Sequence, residues 1–262
     1  MTSYSDSASR ARAESVSGNL AVAPFNDVSL LAEELATANR ILFQRGVVDG
    51  FGHVSVRHPQ RPDRFLISRS VAPALVTASD IQELDLDANP VSPGNPPTYL
   101  EKFIHSEIYR ARPDVAAVVH SHSPSIVPFS VVSGVPLRAM CHMSGFLGSD
   151  TPVFEIRTVA GRASDLLVRN RELGAALAKS LGSSSVVLMR GHGSTAVGST
   201  LHQAVFRAVY TEVNARLQSE AMRLGPITYL TDEEGVATSK VNDTAIDRAW
   251  DLWARACKTS VL

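Results

Sequence analysis

Cysteine is nearly missing from this chain, with two in 262 residues. Cys141 and Cys257 form no metal-ligand or redox spacing, so cysteine-based metal and disulfide scaffolds are excluded. One bridge between them is left open, but two lone thiols fit a reducing cytoplasm better. Net charge is also nearly absent, at −1. Without a basic field, neither nucleic acid nor an anionic membrane is an expected partner. No apolar run approaches about 18 residues, so no transmembrane helix is expected. The first 25 residues are rich in Ser and Ala and lack the apolar core of a signal peptide. Arg10 and Arg12 give a faint transit-peptide look, against which Asp6 and Glu14 argue. This segment is expected to be a flexible arm, or one that orders against a partner subunit, preceding a domain over 26–262.

What is present is ordinary globular composition, 44% hydrophobic and 19% charged. Helical and strand patterns interleave without an internal repeat, so a single α/β domain is expected. Helices are expected over Asn26–Gly46, Glu101–Ala111, Leu201–Leu224 and around Ala245–Ala256. A further helix is expected from Asp165 to Leu181, capped by Ser164. Strands are expected at His53–Arg57, Arg64–Ser68, Leu84–Leu86, Ala116–Ser121, Pro152–Phe154, Val186–Met189 and Thr195–Val197.

Eight histidines are present, and three stand at strand ends. His120 and His122 close the apolar run Val118-Val119. Residues i and i+2 of a strand project from one face, so both imidazoles can reach one point. His192 lies between Gly191 and Gly193, directly after Val186–Met189. Glycines there allow a sharp turn and close approach. Three imidazoles from two strand ends make a plausible open, catalytic metal site. Alone, an H-x-H pair or a G-H-G turn is just as compatible with ordinary hydrogen bonding. Glu101, upstream of His120, adds a fourth donor. His58 and His202 are expected to face solvent. His105 is expected to pack on its helix or support the site from behind, and His142 to line the pocket or pack.

The runs Glu101-Lys-Phe-Ile-His-Ser-Glu-Ile-Tyr109, Arg112-Pro113-Asp114 through His120-Ser-His122, and Gly191-His192-Gly193 resemble the class II aldolase/adducin family. Gly52-His53-Val54-Ser55-Val56-Arg57 resembles that family's first motif, and the likeness runs over about residues 28–225. The resemblance implies a single α/β/α domain with a central, mainly antiparallel sheet flanked by helices. It implies one divalent metal per subunit, Zn, Mn, Fe or Co, held by His120, His122 and His192. It makes Glu101 either a fourth ligand or the acid/base group. It also implies a homotetramer with active sites at subunit interfaces.

Three loops depart from the family's sugar-phosphate aldolases. Gly52-His53 replaces Gly-Asn, Ser70-Val71 replaces Thr-Gly, and Tyr99-Leu100 replaces Ser-Ser before the glutamate. Val71 and Leu100 cannot cradle a phosphate. Aromatic and cationic residues stand nearby instead, which suits a planar carboxylate. Phe51, Ser68, Arg69, Tyr99 and Arg190 are therefore candidate substrate-binding residues. The chain then looks more like the branch of dihydroxyphthalate and hydroxy-methylpyridine-dicarboxylate decarboxylases. The expected activity is metal-dependent decarboxylation of a hydroxylated aromatic carboxylate, with Glu101 as proton donor and Tyr210 or His53 as alternatives. An aldolase acting on an unphosphorylated aldol, a non-catalytic adducin-like protein and an Fe(II) oxygenase are the competing readings.

Overall fold

The computed structural model describes residues 27–259. The expected arm over 1–25 lies outside them. The chain opens with α1 (Val28–Gln44), whose N-cap Asp27 accepts a hydrogen bond from the Ser29 amide at 2.8 Å. Strands β1 (His53–Arg57), β2 (Arg64–Ser68) and β3 (Ile81–Asp85) follow as a meander. Next come α2 (Lys102–Ala111), β4 (Ala117–Ser121), the short α3 (Val127–Val131), β5 (Val153–Phe154) and the short α4 (Arg157–Ala160). The last part is α5 (Arg171–Leu181), β6 (Val186–Met189), β7 (Gly193–Gly198), α6 (Leu201–Leu224), α7 (Asp232–Asp243) and α8 (Ile246–Thr259).

The seven strands form one sheet in the order β3-β2-β1-β4-β7-β6-β5. Every pairing is antiparallel except β5 with β6. The expected single α/β/α domain is the architecture found. The alternation of strand side chains divides the core into two layers. Val54, Val56, Leu66, Val119 and Leu188 pack with α1, α6 and α8. Phe65, Ile67, Val118, Val187 and Val197 pack on the other face with α2 and α5. His53, Ser55 and His120 share parity with the second set. The functional residues of β1 and β4 therefore lie on the α2 face of the sheet.

Two expectations are corrected. The helix expected from Asp165 starts only at Arg171, where the Asn170 side chain accepts from the Leu173 amide at 2.9 Å. Ser164 Oγ accepts from the Leu166 amide instead. Leu166 holds a left-handed φ of 69°, a conformation that costs a branched residue about 1–3 kcal/mol. Tertiary hydrogen bonds at the site hold it there. Helix α7 was not expected, because its apolar residues lack a helical stripe. Its capping box, Thr231 with Glu234, is the local signal that marks it.

Candidate metal centre

Strand pairing assembles the centre. His53 of β1 stands opposite His120 of β4, and their ring centroids are 5.0 Å apart. His122 follows β4. His192 sits in the β6–β7 turn, where Gly191 adopts φ 65°. A side chain at Gly193 would place its Cβ 1.9 Å from the Ser121 carbonyl oxygen. Glycine there is what lets the turn close against β4 and bring His192 to His122. Glu101 immediately precedes α2 and is buried.

The Nε2 atoms of all three histidines converge. His122 Nε2 lies 3.2 Å from His120 Nε2 and 2.9 Å from His192 Nε2. Glu101 Oε2 lies 3.4 Å from His120 Nε2 and 3.5 Å from His192 Nε2. Donors held about 2.0–2.1 Å from one ion are separated by about 2.9–3.4 Å, between right-angle and tetrahedral geometry. The spacing therefore fits a divalent ion. The hydrogen bonds behind the rings agree. His120 Nδ1 lies 3.1 Å from the Ser194 carbonyl and His192 Nδ1 3.0 Å from the Leu166 carbonyl. A carbonyl only accepts, so both Nδ1 atoms carry the hydrogen and both Nε2 lone pairs face inward. Lone pairs this close repel unless a cation sits among them. Glu101, His120, His122 and His192 could hold a metal ion.

The segment that failed to be a helix supports this cluster. Leu166 supplies the carbonyl for His192, and the Val168 amide donates to Glu101 Oε1 at 2.9 Å. Burial would raise the Glu101 carboxyl, but positive charge on His120 and His192, when protons rather than a metal ion occupy their Nε2 atoms, outweighs it and holds the group well below the usual carboxylate range. Burial, then His120 and His192, pushes His122 down to about 4. Burial, then His105, lowers His53 well below its ordinary value.

A cavity of about 400 Å³ opens beside the cluster, walled by Phe51, His53, Val71, Tyr99, Leu100 and Leu167 among others, with Glu101 and His122 at its edge. Among the residues expected to bind substrate, Phe51 and Tyr99 are walls of this cavity. Ser68 stands behind Tyr99, 2.8 Å from its hydroxyl, and the tyrosine donates to the Val71 carbonyl at 2.9 Å. Arg69 is tied to Asp80 at 2.6 Å and Arg190 to Glu155 at 2.8 Å, and neither lines the cavity. Tyr210 packs on Phe206 and Trp253 in the α1/α6/α8 layer. The sheet separates that layer from the cluster, so Tyr210 does not reach its own chain's site.

Three of the remaining histidines also differ from expectation. His58 is buried, and its Nδ1 accepts from the Gln60 and Arg61 amides at 3.1 and 3.2 Å. His202 stacks on Trp250 at 3.8 Å. His142 is exposed and lines no part of the cavity. Helical spacing alone marked His105 as a neighbour of Glu101. Its partners Ser55 and Tyr109 carried no signal of their own.

A sequence profile of the class II aldolase and adducin N-terminal domain matches residues 33–219. This chain belongs to that family. Among its relatives is decarboxylase tropJ of Talaromyces stipitatus, 42% identical over 245 residues, covering 85% of this chain and 92% of that protein. The 3,4-dihydroxyphthalate decarboxylase of Arthrobacter keyseri is 34% identical over 209 residues, 74% of this chain and 79% of that one. The L-fuculose 1-phosphate aldolase from Glaciozyma antarctica PI12 shares the fold with a TM-score of 0.72. It is 24% identical, covering 89% of this chain and 92% of that chain.

Proposed function

We propose that this protein is a metal-dependent decarboxylase of a hydroxylated aromatic or pyridine carboxylate, with His120, His122 and His192 as the ligands of one Zn, Mn, Fe or Co ion. The observation that carries the reading is the convergence of three Nε2 lone pairs and an ionised Glu101 beside a cavity with aromatic and apolar walls. The likeness to two decarboxylases supports it. A divalent ion here supplies electrostatic stabilisation of negative charge developing on a substrate oxygen as a C–C bond breaks. Phe51 and Tyr99 flank the ring. Glu101 takes the proton of the ring hydroxyl and hands it to the carbon bearing the carboxylate. The C–C electron pair then returns to the ring as carbon dioxide leaves, and water reprotonates the phenolic oxygen on release. His53 hydrogen-bonds the substrate from the cavity wall. Val71, Leu100 and Leu167 offer a phosphate nothing, which places a sugar phosphate behind an aromatic acid.

A homotetramer in the cytoplasm completes the reading. Phe51 and Leu100 are 69% and 68% exposed at the cavity rim, as expected of apolar side chains awaiting a neighbour. In such an assembly Tyr210 could act only at a neighbouring subunit's site. The two thiols are free and fit a reducing compartment. No described helix is long and apolar enough to cross a membrane. The test is carbon dioxide release by the metal-loaded protein from ortho-hydroxylated benzoates, phthalates and pyridine carboxylates, beside aldehyde release from L-fuculose 1-phosphate. Aldehyde without carbon dioxide would sink the decarboxylase reading.

A further inference from the structure

A buried polar chain runs behind His53 and takes no part in gathering the four converging donors. His53 Nδ1 lies 2.6 Å from His105 Nε2. His105 Nδ1 lies 2.6 Å from Ser55 Oγ, and Ser55 Oγ lies 2.7 Å from the Tyr109 hydroxyl. Ser55, His105 and Tyr109 are sealed from solvent, and only His53 opens on the cavity. The rings of Phe65 and His105 stack at 6.3 Å, and the Arg57 guanidinium lies 4.7 Å from the Tyr109 ring centre. The four groups are thus held in one arrangement.

Such a chain has two polarities, with every hydrogen pointing toward His53 or every hydrogen pointing away. The buried end decides between them. Burial raises the Tyr109 phenol, so it keeps its hydrogen. A buried hydroxyl without an acceptor is costly. Ser55 Oγ is the acceptor within reach. Tyr109 therefore donates to Ser55, Ser55 donates to His105 Nδ1, and His105 Nε2–H donates to His53 Nδ1. The remaining hydrogen of His53 is left on Nε2, at the edge of the ring away from His105.

We infer that Tyr109, Ser55 and His105 are positioning residues that lock His53 into its Nε2–H tautomer, presenting a fixed hydrogen-bond donor to an anionic oxygen of the substrate in the cavity. The identity of that oxygen, the substrate carboxylate, rests on the decarboxylase reading, but the tautomer does not.

The test has two readouts. The first is nitrogen-15 NMR of the imidazole side chains in the full-length protein, with and without zinc, with His53→Gln assigning the His53 signals. The expected result is hydrogen on Nε2 in the wild type and a mixture of tautomers in Tyr109→Phe. The second is steady-state carbon dioxide release. Tyr109→Phe and Ser55→Ala should lower kcat by about tenfold with metal content unchanged and KM within about twofold. His105→Gln, which keeps an amide donor and an acceptor, should retain about ten times the kcat of His105→Leu. Hydrogen on Nδ1 of wild-type His53, or a Tyr109→Phe protein with unchanged tautomer, overturns the inference. If the wild type releases no carbon dioxide, the decarboxylase reading fails, and the NMR signals still decide the relay.

Discussion

His202 and three histidines on the other face of the sheet are driven in opposite directions. On the α2 face, His53 and His105 are buried and His122 half-buried among other imidazoles. Burial and those neighbours push His105 down to about 3 and His122 down to about 4. These rings are neutral, so each has a lone pair to offer a metal or a single hydrogen to offer a substrate. On the opposite face His202 lies 2.8 Å from Asp247 and 3.6 Å from Glu34. Burial would lower it, but the two carboxylates raise it above its ordinary value. One side chain type thus offers a lone pair on one face and, on the other, is drawn toward its charged form between α1, α6 and α8. The neighbours supplied by the fold decide which.

The largest effect should come from breaking the first set. His120→Ala removes one of three converging nitrogens and leaves Glu101 facing two. It should lose the bound divalent ion and at least about 10³-fold in carbon dioxide release. His202→Asn, on the other face, should keep both. Elemental analysis beside turnover reads this directly, and an active, metal-replete His120→Ala protein would erase the distinction between the faces. Gly193→Ala comes next. Its Cβ would sit 1.9 Å from the Ser121 carbonyl, so β7 must shift from β4 and carry His192 with it. We expect about 1–3 kcal/mol lower stability in urea, with weakened metal retention. Gly191→Ala meets its nearest atom only at 3.6 Å. It should cost about 1 kcal/mol through its positive φ alone. Equal effects at the two glycines would mean that close packing of the turn is not what places His192.

The contrast also explains what could be read before the structure. Strand parity placed His120 beside His122, and strand-end glycines placed His192, because both are local consequences of a two-residue period and a turn. The pairing of β1 with β4, which sets His53 against His120, is non-local and was not legible in the sequence. The segment 165–170 departs from the expected helix although its apolar residues suit one. The hydrogen bonds from Leu166 and Val168 to the site override that propensity, and neither residue signals it. Arg69 and Arg190 were chosen by residue type, and their acidic partners, Asp80 and Glu155, were invisible without the fold. Arg69→Ala and Arg190→Ala should therefore change kcat/KM by less than about threefold, as expected of solvent-screened ion pairs outside the cavity. A loss of about 100-fold in either would put that guanidinium back among the substrate contacts.

The smallest effect belongs to His202, and its sign separates the two faces most cleanly. Its folded-state pKa is raised, so the folded protein holds the proton more tightly than the unfolded chain. The resulting stability is fully present below the ordinary histidine value, about 6.5, and is lost as pH rises through the folded value. Asp247 is 65% exposed, so screening should keep this contribution to about 1 kcal/mol or less. Stacking on Trp250 is a separate contribution that does not depend on charge. The stability gap between wild type and His202→Asn should therefore be widest below the ordinary histidine value and shrink to the stacking remainder as pH rises through the raised folded value. Urea unfolding across that range measures it. A gap that grew with pH would mean that His202 is neutral in the folded state, as on the other face, and that the carboxylates of α1 and α8 do not set its charge.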